Sequence, residues 1–482
     1  MAGVRFFPER VAAALLLWSG VAAAVGGEAQ GIFSDGILRP PDYRTLKGPE
    51  SAGRSYVDPV FGTVVTRMTD SGPWAKNGNG GEIANSEVAY FNADDSLFMI
   101  SEYVRQEGRT PLSGVLYDGR TGRFVKSLGS GTMRPWWCRW AVADRYWKGS
   151  GYVRFEPSRH FYKYEGNELR LYCVDDLSFV VLRKFSEYAA IGPAGGEGDL
   201  SLDGRYWLLD GDGRELFLYD LIDDRKCAVS AFDVGAVGSR GPRLGVDYAA
   251  VSASGEGLLV SWSYPPAVRR FCGLELYDRQ WGFVRQLHPE LVHWVRGIDA
   301  FGEDVVYCSA SFGVREFWER RGVKPGDYVS IRLRDGFVRR LIDMPAWAHH
   351  VSSAVSIKTN PSYVYVAFAA RSADPSSSWQ PYWGEILEVP TDGCGKLRRL
   401  VHHRTRELPG RSAKFTQPDF NINHAGTKIV FRSTFANDHA DLYMFDLLPR
   451  QAVPPWPPGR PTRGTTAGKG GPGMSWERRR RG

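Results

Sequence analysis

Beyond its first 25 residues the chain has no apolar run approaching the roughly 20 residues that a membrane-spanning helix needs, which excludes a helical membrane bundle. Its six cysteines (Cys138, Cys173, Cys227, Cys272, Cys308 and Cys394) are scattered and form no Cys-x-x-Cys pair. Zinc ribbons and thioredoxin chemistry are thereby excluded. No Gly-x-Ser-x-Gly, His-Glu-x-x-His, P-loop or dinucleotide fingerprint stands in a suitable context. The segments GGEGD and DGDGRE lack the spacing of a calcium loop and read as turns between strands. Helix signals are scarce; the best is VREFWERR at 314–321, a short insertion.

Apolar and turn residues, by contrast, are plentiful. Hydrophobic residues make up 43% of the chain and aromatics 13%, enough for a large core of stacked sheets. A degenerate unit recurs about every 50 residues between Glu87 and Leu447. Its clearest copies are EVAYFNADDSLFMIS followed by GVLYDGRTGRFVKSL, then EGDLSLDGRYWLLDGDGRELFLYDLIDDRKCAV. Later copies are VDYAAVSASGEGLLVSW followed by GLELYDRQWGFVRQL, and QPDFNINHAGTKIVFRSTFANDHADLYMFDL. The units hold short strands with Asp-Gly-type turns and a Tyr-Asp-like pair closing the third, four strands in all but the last. One such sheet cannot bury both faces, whereas a ring of them can. The fold class is therefore all-β, a β-propeller of four-stranded blades.

Seven polar positions at nearly even spacing open the units: Glu87, Arg139, Glu197 or Asp199, Asp247, a position near Asp299, His350 and Gln417. Seven openings predict seven blades. The last unit lacks a fourth strand, and FGTVVTRMT at 61–69 alternates as a strand should. Pairing it into the final blade closes the ring and removes a free edge.

Residues 1–24 read as a secretory signal peptide, with Arg5 and Arg10 before an apolar run and Ala22-Ala23-Ala24 as a cleavage site. Residues 25–55 are expected to be an N-terminal extension and 56–448 the propeller. Residues 449–482, rich in Pro and Gly and ending in four arginines, read as a disordered basic tail. It holds much of the net charge of +7. No nucleic-acid role is expected of an exported protein; attraction to acidic polymers fits the charge. Export, periplasmic or extracellular, permits disulfides, although most of the cysteines lie in apolar strands and read as buried thiols.

The final unit, QPDFNINHAGTKIVFRSTF then DLYMFDL, resembles the repeat of periplasmic TolB-type (WD40-like) propellers and that of the oligogalacturonate lyases. The likeness extends over 87–447. It implies β-elimination on a uronic acid, with an acidic oligo- or polysaccharide as partner. It also implies a manganese-like divalent cation on the axis, whereas an Asp with an amide and carbonyls would better suit a hard cation such as calcium. His350 in HHVSSAVS matches the first ligand position and Gln417 in FTQPDFN lies where a second cluster belongs. The chain departs from the pattern there, offering Phe415, Asp419 and Asn421 in place of further histidines.

In a propeller the strand openings meet around one funnel, so Glu87, Arg139, Glu197, Asp199, Asp247, Asp299, His350 and Gln417 become candidates for binding or catalysis. Polarity costs little beside a water-filled channel, so each also has a purely structural reading. His350 is the candidate base or metal ligand. Arg139 could clamp a carboxylate, with Trp137 and Trp140 stacking a sugar or packing between blades. Tyr248 is a candidate proton donor. Trp379, in the polar loop SSSWQPYWGE, is a candidate sugar platform, or pins that loop to the ring. His293 lies near the opening of the fifth unit. His160 reads as packed or at the surface, and His402 and His403 as a surface pair. Three readings stand: a glycan lyase, a non-catalytic propeller binding a glycan or protein of the envelope, and a TolB-like scaffold.

Overall fold

The computed structural model describes residues 32–447 apart from 34–35, 43–47, 71–80, 84–87, 104–111, 131–132, 134, 197, 231–244, 264–266, 345–350, 356–359, 369–378, 406–417 and 436–438. The expected signal peptide lies outside the described residues. So does Pro449–Gly482, which forms a unit of its own.

Seven small antiparallel sheets form a ring, a seven-bladed β-propeller. In blades 1 to 5 the strands run outward in chain order. In blade 4, Val246–Val251 is innermost, followed by Gly257–Trp262, Gly273–Asp278 and Phe283–His288. Both faces of the inner blade strands are buried, so they read as near-continuous apolar runs. Period-two geometry sends successive side chains to opposite neighbours. In Leu97–Tyr103, Leu97 and Met99 pack toward blade 2, whereas Phe98 and Ile100 pack toward blade 7. Seven hydrophobic clusters result, each shared by two successive blades, and the one joining blade 7 to blade 1 completes the circle.

Turns are fixed by short polar side chains. Asp118 Oδ1 accepts the backbone N–H groups of Arg120 and Thr121, and Asp278 Oδ1 those of Gln280 and Gly282. These are the Asx turns that the Tyr-Asp pairs announce. At Gly119 a Cβ would stand 2.2 Å from the Asp95 carbonyl oxygen, so the turn admits no side chain there.

The N-terminal strand closes the ring as expected. Val64–Arg67 pairs antiparallel with Asp441–Asp446, bringing Arg67 opposite Tyr443. Two further strands were not anticipated. Ser55–Val57 pairs on the outside of Val64–Arg67, giving blade 7 a fifth strand. Ile32–Phe33 pairs with Arg398–His402 and does the same for blade 6. Residues 32–57 are therefore partly built into the ring rather than simply leading up to it.

The helical insertion is a single short turn, Arg315–Glu319, anchored by buried Phe317 and Trp318. Blade 2 carries a second insertion, the hairpin of Arg145–Lys148 and Gly151–Arg154, between its first strand Cys138–Trp140 and its second, His160–Glu165. All six cysteines are free. No described helix is long and apolar enough to cross a membrane.

Candidate functional site

Inner strands begin at one end of the ring and finish at the other, and in blades 1, 3, 4, 5 and 7 the finish is capped by a short polar side chain. Asn92, Ser201, Ser252, Asp299 and Asn423 occupy this position. Each accepts a backbone N–H at the start of the next strand, from Leu97, Tyr206, Gly257, Glu303 and Lys428 respectively. Asp299 was expected to open blade 5. It instead closes that blade's inner strand, Trp294–Ile298, and its other oxygen accepts Arg339 Nη1 at 2.8 Å. The opening of blade 5 is Trp294, with exposed His293 just before it.

Polar side chains cross the axis between these two ends. Asp199 of blade 3 accepts the Ala89 N–H of blade 1 at 2.7 Å. Arg296 of blade 5 donates to the Leu200 carbonyl of blade 3 and to the Val251 carbonyl of blade 4. Asn421 of blade 7 donates to the Val88 carbonyl of blade 1. The first two bonds skip a blade, so they run across the middle of the ring. Burial disfavours the charged form of Arg296 and lowers its pKa.

Arg139 and Asp199, both expected at the site, do come together, with Arg139 Nε 3.6 Å from Asp199 Oδ1. Arg139 is nevertheless fully committed. Its guanidinium donates to the carbonyls of Pro135, Cys138, Gly196 and Gly198, five hydrogen bonds in all. A guanidinium has five N–H donors, so none is left for a substrate carboxylate. Trp137 and Trp140 pack between blades: Trp137 lies 5.5 Å from the Tyr164 ring, and Trp140 Nε1 donates to the Tyr90 carbonyl of blade 1.

Tyr248 is buried, stacks on Trp294 at 4.8 Å, and its hydroxyl donates to the Trp294 carbonyl. Its place is in the packing between blades 4 and 5. Trp379 is only 3% exposed and meets Trp383 edge to face at 6.2 Å, so it pins its loop to the ring and presents no sugar platform. Asp247 is half-buried at the start of blade 4, on a bulge between Val246 and Tyr248. A bulge re-aims the side chain it carries, and Asp247 stays at the opening end. Glu87, Glu197, His350 and Gln417 lie outside the described residues. Among the described residues no three His, Cys, Asp or Glu side chains converge as metal ligands.

The histidine pair at 402–403 is buried, contrary to its surface reading. His402 Nδ1 stands 3.2 Å from Asp58, and Nε2 donates to the Arg39 carbonyl. Burial opposes the charge of Asp58, but the His402 hydrogen bond and nearby Arg404 hold its pKa down to about 2. His403 Nδ1 accepts the Thr405 N–H, and Nε2 donates to the Phe368 carbonyl. His288 makes the same pattern with the Glu290 N–H and the Ser309 carbonyl. Burial pushes both His288 and His403 down to about 4, so they are structural neutral imidazoles. His160 is half-buried, with Nδ1 2.7 Å from the Glu156 carbonyl oxygen.

One titratable group escaped the sequence reading. Glu102 accepts the Tyr117 hydroxyl at 2.7 Å, and burial, aided by Asp441, pushes its carboxyl up to about 7. It pairs with Gly81 at the start of the innermost strand of blade 1, Gly81–Glu82, and so belongs to the opening end. A lone Glu next to the end of an apolar strand, Leu97–Tyr103, carries no signal of this kind.

No protein-family model matches the chain, and no curated protein matches it. Solved structures do. An oligogalacturonate lyase in complex with manganese is 12% identical, with 87% of this chain and 99% of that chain covered and a TM-score of 0.51. Oligogalacturonate lyase from Vibrio parahaemolyticus is 11% identical, covering 83% and 98% with a TM-score of 0.53. Identity this low speaks to the fold alone, and the chain is a seven-bladed propeller resembling that of oligogalacturonate lyase.

Proposed function

We propose that this propeller acts on acidic carbohydrate at the opening end of its axis, by β-elimination on a uronate. The observation that carries the reading is the likeness over nearly the whole ring to two oligogalacturonate lyases. A matching register supports it. The inner strands of blades 5, 6 and 7 are neighbours. His293 and Gln417 each stand six residues before the residue that caps their strand, Asp299 and Asn423, and His350 directly precedes Val351–Val355. Three adjacent blades thus carry a His or an amide at comparable points of the sequence.

In the elimination a base takes the C5 proton, the freed pair forms the C4–C5 double bond, and the C4–O bond breaks. Charge on the carboxylate must be neutralised for C5 to become acidic. His293 is the proposed base, since imidazole titrates near neutrality. Asp247 is proposed to orient sugar hydroxyls. Arg139 and Tyr248 are left out because their polar groups are engaged within the ring. A divalent cation would be held by His350 and Gln417 and would supply the charge neutralisation. One imidazole and one amide are a sparse donor set for manganese. Export to the periplasm or beyond belongs to the same proposal.

The test is absorbance of the unsaturated product while mature protein is incubated with acidic oligosaccharides, with manganese or calcium and then with chelator. A chelator-sensitive rise that His350→Ala abolishes is the expected result. A flat trace with folded protein would favour the second reading, a binding propeller, which the engagement of Arg139, Tyr248 and Trp379 in packing already supports.

A further inference from the structure

The hairpin of Arg145–Lys148 and Gly151–Arg154 stands apart from every blade as a sheet of its own. It follows the end of the inner strand of blade 2, so it lies at the opposite end of the ring from the strand openings. Where blades 1, 3, 4, 5 and 7 make a tight capped turn, blade 2 inserts this element. The ring does not need it for closure.

Its two faces differ. Tyr146 is buried in the cluster between blades 2 and 3, against Phe155. On the other face, strand alternation and cross-strand pairing set Trp147 opposite Tyr152 and Arg145 opposite Arg154. The rings of Trp147 and Tyr152 meet at 5.2 Å and 79°, yet remain 37% and 52% exposed. Arg145 sits 5.5 Å over the Tyr152 ring. Two guanidiniums directly across a strand pair repel each other. One carboxylate, Asp144, lies between them, 3.5 Å from Arg145 Nη1 and 2.5 Å from Arg154 Nη1. Lys148, exposed at the turn, falls by the same alternation on the Tyr146 face, so beside the aromatic pair two guanidiniums share one carboxylate. The element is also held in place: the Trp147 N–H donates to the Ile222 carbonyl, and the Tyr152 hydroxyl to Asp223 Oδ1, both of blade 3.

We propose that this hairpin is an accessory binding site for an acidic sugar chain, separate from the axial mouth. The ligand class rests on the carbohydrate reading above. Exposed aromatic faces take the apolar face of a sugar ring, and planar guanidiniums take its carboxylate in a bidentate fork. Positions fixed by blade 3 lose little freedom on binding.

The test is affinity electrophoresis of the full mature chain in native gels holding polygalacturonate, alginate or heparin, with dextran as the neutral control. The variants are W147A/Y152A, which keeps the charge, and R145Q/R154Q, which keeps the aromatics. Melting curves verify that both fold. Retardation by an acidic polymer is expected to weaken at least tenfold in both, with dextran inert and elimination of a disaccharide unchanged. Undiminished retardation in W147A/Y152A would overturn the site, leaving only diffuse attraction to a basic protein. So would equal retardation by dextran, or none by any acidic polymer. A protein retarded through the hairpin but inactive in the elimination assay would sink the catalytic reading alone.

Discussion

Blades 6 and 7 differ from blades 1 to 5 at their outer edges. In blades 1, 2, 4 and 5 the outermost strand or the residue before it leaves an exposed Phe: Phe124, Phe179, Phe283 and Phe337. Arginines cover three of these rings, with Arg170 4.5 Å from Phe179, Arg270 3.7 Å from Phe283 and Arg332 5.2 Å from Phe337. In blades 6 and 7 the N-terminal segment covers the edge, and charge is buried beneath it. Arg399 pairs with Glu385 through two hydrogen bonds and donates to the Ile37 carbonyl. His402 meets Asp58, Arg404 donates to the Asp42 carbonyl, and Arg67 pairs with Asp441 at 2.8 Å. Blades made of consecutive strands can rely on apolar packing. Where distant parts of the chain must find one register, fully buried ion pairs reject the wrong pairing, because an unpaired buried charge is costly.

The contrast can be broken most severely by deleting 61–69. This removes the strand Val64–Arg67 and with it Arg67, the buried partner of Asp441. The expected outcome is loss of the cooperative melt and a chain recovered as aggregate, read by calorimetry and size-exclusion chromatography. A retained sharp transition would mean the seam closes without the clasp.

A milder test compares one arginine from each region. Arg399→Met leaves Glu385 buried without its partner, and burial already pushes that carboxyl up despite Arg399. A cost of about 3–5 kcal/mol is expected. Arg170→Met on the rim should cost about 1 kcal/mol or less. Urea unfolding of the two variants measures both, and equal losses would erase the distinction.

A third effect, spread over two pH units, is a pH dependence shared by the two regions, since His288 belongs to blade 4 and His403 follows blade 6. Unfolded, both titrate near 6.5; in the ring burial holds both near 4. Their stabilisation is complete above about 6.5. As pH falls toward 4 the unfolded chain takes up protons that the folded ring refuses, and stability drops by about 1.4 kcal/mol per pH unit for each histidine. His288→Gln and His403→Gln should each flatten that slope in denaturant melts between pH 4.5 and 6.5. An unchanged slope would assign the acid sensitivity to other groups.

The architecture was legible because the blades repeat the same local signals, turn caps and period-two burial, and because the strand missing from the last unit, QPDFNI to LYMFDL, had a visible counterpart at 61–69. The placement of single residues was less so. Asp299 was aligned by even spacing with polar openings, yet RGIDAFG carries its acid at the cap and its opening is the apolar Trp294. Trp379 sits in a Ser-rich stretch that reads as exposed, but it is buried beside Trp383. His402 looks solvated in LVHHRTR, because its partners Asp58 and Arg39 are more than 340 residues away in the chain. Arg139 reads as a free cation, because carbonyl acceptors leave no mark in a sequence.

Arg67 and Tyr443 are paired across 376 residues. At about 5–20 residues per second of synthesis, the strand made almost first waits roughly 20–75 s for its partner. During that interval blades can form in order from the first, but the ring is an open arc. Its leading strand and the growing end both present unpaired backbone, the condition under which sheets join the wrong neighbour. A ring sealed by its own beginning therefore depends, until the last blade emerges, on whatever keeps that beginning out of trouble.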